Sequence, residues 1–258
     1  MDRAMKQKAR AAVDRLRAVF EGWEEITAVG LHAYGDDLYD PYFSLSFDVY
    51  TTTDVREPGA RELAFGDVGA FESSILTHKD RFLLNEIPVR LEYKLTRRFD
   101  GLVSAALDGK CRLRDASTYA FRRVVDAETV LSRGEWFATM RSSLARLPDR
   151  FWTELRSAQE ATAEHLYADL CAAAMRNDAF YYTMAAGRFL VGLCALLFTI
   201  NRRFEPSPRR FRGEVLDLPI LSDSFPANLE NFVGQESSLS MSQRAELAEL
   251  MVTSVLSL

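Results

Sequence analysis

Two short stretches of the chain alternate apolar and polar residues with a period of two. Across 42–50, Phe43, Leu45, Phe47 and Val49 alternate with Ser44, Ser46 and Asp48; across 88–95, Val89, Leu91, Tyr93 and Leu95 alternate with Arg90, Glu92 and Lys94. Successive side chains of a strand point to opposite faces, so each stretch predicts a β-strand with one apolar and one polar face. If the two strands pair, Asp48 and Glu92 share a face open to water. Acids on neighbouring strands can hold a divalent metal, although two ordinary half-exposed strands show the same alternation.

Elsewhere the periodicity changes. Ala9, Ala12, Val13, Leu16, Val19 and Phe20 recur at helical spacing and predict an amphipathic helix over 5–22, closed by Gly22. A strand over 26–34 follows, then the loop Gly35 to Pro41 and the strand carrying Asp48. Residues 66–84 read as a helix, Pro88 opens the strand carrying Glu92, 97–108 reads as a further helix, and Cys111 to Asp115 as a short extended piece. From Ala127 strand signals give way to helical periodicity, with breaks at Pro148, Asn177-Asp178, Pro206, Pro208, Pro219 and Pro226. The pattern predicts an α+β protein of two domains, a sheet-containing domain over 1–126 and a helical bundle over 127–258 that takes in Trp136 and Trp152.

The most apolar stretch, Ala179 to Ile200, is interrupted by Arg188, and the clean run from Phe189 falls short of the ~20 residues that span a bilayer. It reads as the central helix of the bundle, with no membrane partner. An arginine in such a helix is costly to bury alone, so Arg188 should either pair with an acid or face a cleft between the domains.

Composition narrows the classes. A hydrophobic content of 48% and a charged content of 27% over 258 residues describe an ordinary globular chain. The formal charge of -5 disfavours nonspecific binding to nucleic acid or acidic membranes, which leaves small-molecule or protein partners. Three cysteines, Cys111, Cys171 and Cys194, lack CxxC spacing and fit reduced thiols in the cytoplasm; with three scattered histidines they indicate neither a disulfide framework nor a zinc site. The N-terminus is charged and lacks the apolar core of a signal peptide.

The order of these pieces resembles a known family. A helix, then Val29-Gly-Leu-His-Ala-Tyr-Gly35, an acid-bearing strand at Ser44-Leu-Ser-Phe-Asp48, a second at Arg90-Leu-Glu92, and a helical C-terminal half look like the nucleotidyltransferase superfamily that includes DNA polymerase beta and the aminoglycoside nucleotidyltransferases. Leu107 to Asp115 resembles the segment that closes the catalytic domain of small members, and Leu197 to Arg210 is similar to the helix exit of their helical domains. The resemblance implies a magnesium-bound nucleoside triphosphate, ATP foremost, and transfer of a nucleoside monophosphate to a small-molecule hydroxyl or a protein side chain. Such transfer relies on positioning and charge neutralisation, which two metals can supply.

Carried over residue by residue, Gly30 stands for the family's glycine and Leu31 for its serine; Asp48 stands for the second metal-binding acid, Glu92 for the third, and Ser46 occupies the place of the first. Asp48 and Glu92 would then bind metal or activate the acceptor, and Gly30 and Ser46 would lie beside phosphate. Arg90 and Lys94 would meet phosphate or balance Glu92, Arg188 would face the ligand, and His32 shares the parity of Gly30. Asp36, Asp37 and Asp40 could supply a substitute carboxylate. Leu31 has no hydroxyl and Ser46 no charge, so two readings stand: an active transferase with a divergent metal site, or a nucleotide-binding or protein-interaction module that keeps the fold without the chemistry. An unrelated α+β protein whose strands mimic the pattern is a third.

Overall fold

The structure is a computed structural model and describes residues 3–33, 43–74, 78–110, 113, 117–234 and 239–258, with side chains from residue 6 onward. The loop holding Asp36, Asp37 and Asp40, and most of the segment from Cys111 to Asp115, lie outside the described residues. Helix α1 (Arg3–Glu21) leads into β1 (Ile26–Ala33) and β2 (Leu45–Thr51), then α2 (Pro58–Phe65), β3 (Gly69–Ser74), β4 (Lys79–Leu84) and β5 (Ile87–Leu95). After them come α3 (Thr96–Leu107), α4 (Tyr119–Asp126), β6 (Glu128–Ser132) and α5 (Trp136–Leu144). The remaining helices are α6 (Asp149–Met175), α7 (Ala179–Ile200), α8 (Phe211–Leu216), α9 (Phe225–Val233) and α10 (Met241–Leu256).

The chain forms two compact units, Met1–Ser104 with Arg123–Arg146, and Ala105–Arg122 with Leu147–Leu258. The sequence pattern placed one boundary after residue 126. In the structure the chain passes between units at three points, so residues 127–146 fall with the sheet.

The first unit is built on a six-stranded mixed sheet of order β3-β4-β5-β2-β1-β6, in which β2 and β5 are parallel and every other neighbouring pair is antiparallel. The class is α+β. Its apolar face takes Phe47 and Val49 from β2, Val89 and Leu91 from β5 and Phe82 from β4, packed with Ala12, Leu16 and Phe20 of α1 and Phe65 of α2. The α1 residues recur every four positions, which sets one stripe of the helix against the sheet. Aromatic rings fill the layer: Phe65 stacks on Phe82 with centroids 4.9 Å apart, and Phe20 meets Phe47 edge-on at 6.1 Å.

Three expectations need correction here. Where a helix was expected over 66–84, residues 69–74 and 79–84 form the antiparallel strands β3 and β4; in β4 Asp80, Phe82 and Leu84 are buried while Arg81 and Leu83 are exposed, a period of two. Asn85 and Glu86, with φ of 50° and 70°, close β4 onto β5 in a two-residue turn of the type that matches strand twist. Strand signals also continue past Ala127: β6 pairs with β1 at the edge of the sheet and buries only Val130 deeply, so its sequence carries little alternation. Finally, the polar face is not open throughout. Trp136 of α5 packs on Tyr50 of β2 with centroids 4.7 Å apart, and Phe99 of α3 and Phe137 of α5 meet the same ring, so every residue of β2 is buried. Trp136 thus belongs to the sheet layer.

In the second unit α6 and α7 pack along one another, with Leu166 and Leu170 of α6 against Phe189, Leu193 and Leu197 of α7, and α8 to α10 complete the core. The break between the long helices lies where the sequence placed it: Asn177 takes φ 53°, and the Asp178 side chain caps α7 by accepting from the Tyr181 N–H at 3.0 Å. By length and composition α7 could cross a membrane, but Phe189, Leu193, Leu196 and Leu197 are fully buried among neighbouring helices, as a core helix requires. Trp152 stacks on Phe204 at 5.5 Å in this unit.

Candidate functional site

Parallel pairing of β2 with β5 sets Ser46 opposite Arg90, Asp48 opposite Glu92 and Tyr50 opposite Lys94. Antiparallel pairing of β1 with β2 adds His32 opposite Ser46 and Gly30 opposite Asp48. Registered partners share a face. Six sequence-derived site residues, Gly30, Ser46, Asp48, Arg90, Glu92 and Lys94, therefore lie on one side of the sheet together with His32.

Asp48 is the centre of this group and has no exposed surface. Arg123, on α4, donates from Nε to Asp48 Oδ2 at 2.6 Å and from Nη2 to Oδ1 at 2.8 Å, and from Nη2 also to the Ser46 hydroxyl at 3.2 Å. Lys94 Nζ lies 2.9 Å from Asp48 Oδ2 and 4.0 Å from Glu92 Oε1, and His32 Nε2 lies 3.7 Å from Asp48 Oδ2. Both carboxylate oxygens are thus occupied by charged donors, the strongest class of hydrogen bond.

The electrostatics follow from that arrangement. Burial by itself would raise the Asp48 pKa, but Lys94 and Arg123 outweigh it and hold the carboxyl well below the usual range. Burial, then the positive field of Arg123, pushes His32 down to about 4 against the smaller opposing pull of Asp48, so its ring is neutral at pH 7. Burial and then the Asp48 charge push the Tyr50 hydroxyl well up. One buried anion faces one buried guanidinium and one half-buried ammonium.

Toward β5 the same face opens to solvent. Glu92 is half-buried and lies 3.5 Å from Lys79 of β4, while Arg90 is exposed and stands directly opposite the exposed Arg81 of β4. Like charges directly across a strand pair destabilise it. Gly30 serves packing. A Cβ there would come within 2.7 Å of the Ala127 Cβ and 3.1 Å of the Phe137 ring, so Ala127, between α4 and β6, and Phe137 of α5 close over this position. Arg188 departs from the expectation: it is exposed on the second unit and lines a cleft formed by residues of that unit alone.

These residues do not fit a divalent cation. A metal at Asp48 needs free carboxylate lone pairs and further anionic or carbonyl oxygens around it. Here the Asp48 oxygens accept from Arg123 and Lys94, the neighbouring position is the hydroxyl of Ser46, and no group of three or more His, Cys, Asp or Glu is placed to hold a metal among the described residues.

Arg123 is the residue that sequence reasoning missed. It sits beside Arg122 in a short amphipathic helix, and nothing in that pair marks one arginine for solvent and the other for the sheet. The structure buries Arg123 against Asp48, whereas Arg122 pairs with Glu214 at 3.3 Å in the second unit.

A family model described as "Domain of unknown function (DUF4037)" matches residues 115–209, a span that includes both Arg123 and Arg188. No curated protein matches the chain. Among solved structures, the chain is similar to a nucleotidyltransferase-like protein from Exiguobacterium sibiricum 255-15, at 15% identity, with 98% of this chain and 74% of that chain covered and a TM-score of 0.49.

Proposed function

We propose that the sheet unit is a nucleotidyltransferase-like module that binds a phosphate-bearing ligand, ATP or another nucleoside triphosphate, through fixed cations and without a two-metal centre. The observation that carries this reading is the bidentate clasp of Arg123 on Asp48, reinforced by Lys94. Guanidinium and ammonium occupy the space around Asp48 that a metal would need. The site therefore keeps the arrangement of acids on adjacent strands while its charge is already balanced.

The ligand-facing work falls to the exposed end of the same surface. Lys94 retains partial exposure beside Asp48, and Arg90 and Arg81 project from neighbouring strands without an ion pair among the described residues. Arginine forks suit phosphate oxygens because two parallel N–H donors match their geometry. Glu92, between Lys79 and Lys94, limits the net positive charge and holds both ammonium groups near the surface.

The direct register of Asp48 with Glu92 favours a second reading, an active transferase acting on a small-molecule hydroxyl or a protein side chain. That reading requires Arg123 and Lys94 to release Asp48 when substrate enters. Equilibrium titration with a fluorescent ATP analogue tests the first: on that reading Arg90→Met and Arg81→Met each weaken binding by about threefold to tenfold, the scale of one charge-assisted contact. Unchanged affinity in both variants contradicts it.

A further inference from the structure

The helical unit contains a cleft of about 790 Å³ that the sheet site does not use. Apolar side chains make up much of its wall, among them Leu166 of α6, Val191 and Ala195 of α7 and Phe211 of α8. Among its described lining residues Arg188 is the one base and Glu205 the one acid. The volume falls within the ~300–1,000 Å³ of small-molecule sites, which combine apolar walls with a few fixed polar groups.

The two charged residues are not equivalent. Glu205 is buried, accepts from the Ser117 hydroxyl, and its backbone N–H donates to Thr118 Oγ1 at 2.9 Å; burial raises its pKa, against the lowering pull of its hydrogen bonds. It is anchored in the wall. Arg188 instead carries its guanidinium on an otherwise apolar helix, and no ion pair joins it to Glu205 or to another acid among the described residues. Gly187, beside it, leaves open space: a Cβ built there meets nothing within 4 Å.

We propose that this cleft binds a small organic anion, an apolar body that lies against Leu166, Val191 and Phe211 and one carboxylate, sulfonate or phosphate that pairs with Arg188. The apolar walls supply the larger share of affinity by excluding water, and the single guanidinium fixes the orientation and sign of the ligand. Thr162, one turn from Leu166 on α6, adds a hydroxyl to the lining. The inference is independent of the sheet site, since every residue it uses belongs to the second unit.

The test uses two fluorescent probes on the full chain: anilinonaphthalene sulfonate, and uncharged phenylnaphthylamine, which has the same body without the anion. The wild type should bind the sulfonate saturably at one site, and Arg188→Met should weaken it by about tenfold or more while leaving the uncharged probe within about twofold, the mark of one lost charge contact. Gly187→Phe, which fills the cleft from an open position, should abolish the binding of both probes, with circular dichroism confirming that each variant is folded. Three results overturn the proposal: no saturable sulfonate binding by the folded wild type, equal sulfonate affinity in Arg188→Met, or unchanged binding in folded Gly187→Phe.

Discussion

Arg123 and Asp48 meet through two parallel hydrogen bonds, Nε to Oδ2 at 2.6 Å and Nη2 to Oδ1 at 2.8 Å, with both side chains almost fully buried. Removing one partner leaves the other charge in a dry site. Arg123→Met should therefore cost about 3–5 kcal/mol in urea denaturation, while the double variant Arg123→Met, Asp48→Leu should recover most of that loss, because an apolar pair replaces the ionic one. Strict additivity of the two single changes would contradict the coupling.

Acid should weaken the fold through His32 before it reaches Asp48. The folded pKa of His32 lies at about 4, below the ~6.5 of an unfolded histidine, so the unfolded chain binds more protons in the interval between them. Its contribution is present above the unfolded value and is lost as pH falls toward 4, by roughly 3 kcal/mol at most. Unfolding free energies measured from pH 7 to pH 4.5 should decline less steeply in His32→Asn. Asp48, held low by Lys94 and Arg123, contributes above the ordinary carboxylate range, and that contribution is lost only below it.

Gly30 tests the closed part of the sheet face. Gly30→Val places a branched side chain against the Ala127 Cβ and the Phe137 ring, and should destabilise by about 1–3 kcal/mol or more, read as a lower Tm. An unchanged Tm would mean that α5 does not seal this position.

The turn between β4 and β5 offers a gain. Glu86 holds φ 70° without the freedom of glycine, and its ion pair with Lys8 is exposed. Glu86→Gly should stabilise the protein, since relief of a left-handed backbone outweighs a surface salt bridge. Equilibrium denaturation measures the sign directly.

The strands carrying Asp48 and Glu92 were legible because each repeats with a period of two, and that same period set the two acids on one face. The hairpin of β3 and β4 was not: Lys79 to Leu84 alternates only once Asp80 is recognised as buried, and it is buried because Arg61 clasps it at 2.8 Å on both oxygens while Tyr93 donates to it. A charged residue on an apolar face reads as polar in sequence. The helical half was read well at its breaks, where Pro148 and Asn177-Asp178 act locally. Its extent was not, because β6 is a short edge strand with one deeply buried side chain. The clasp of Arg123 on Asp48 joins residues 75 positions apart, and no local pattern records such a pairing.

On the proposed function, charged side chains of this protein, not a divalent metal, balance Asp48 beside the bound nucleotide. Calorimetric titration of ATP into the wild type and Lys94→Met, each in magnesium and in excess chelator, decides whether they do. The expected result is wild-type binding that survives in chelator, with affinity reduced by about tenfold in Lys94→Met under both conditions. Binding that appears only with magnesium, or no nucleotide binding by the folded wild type, would contradict it.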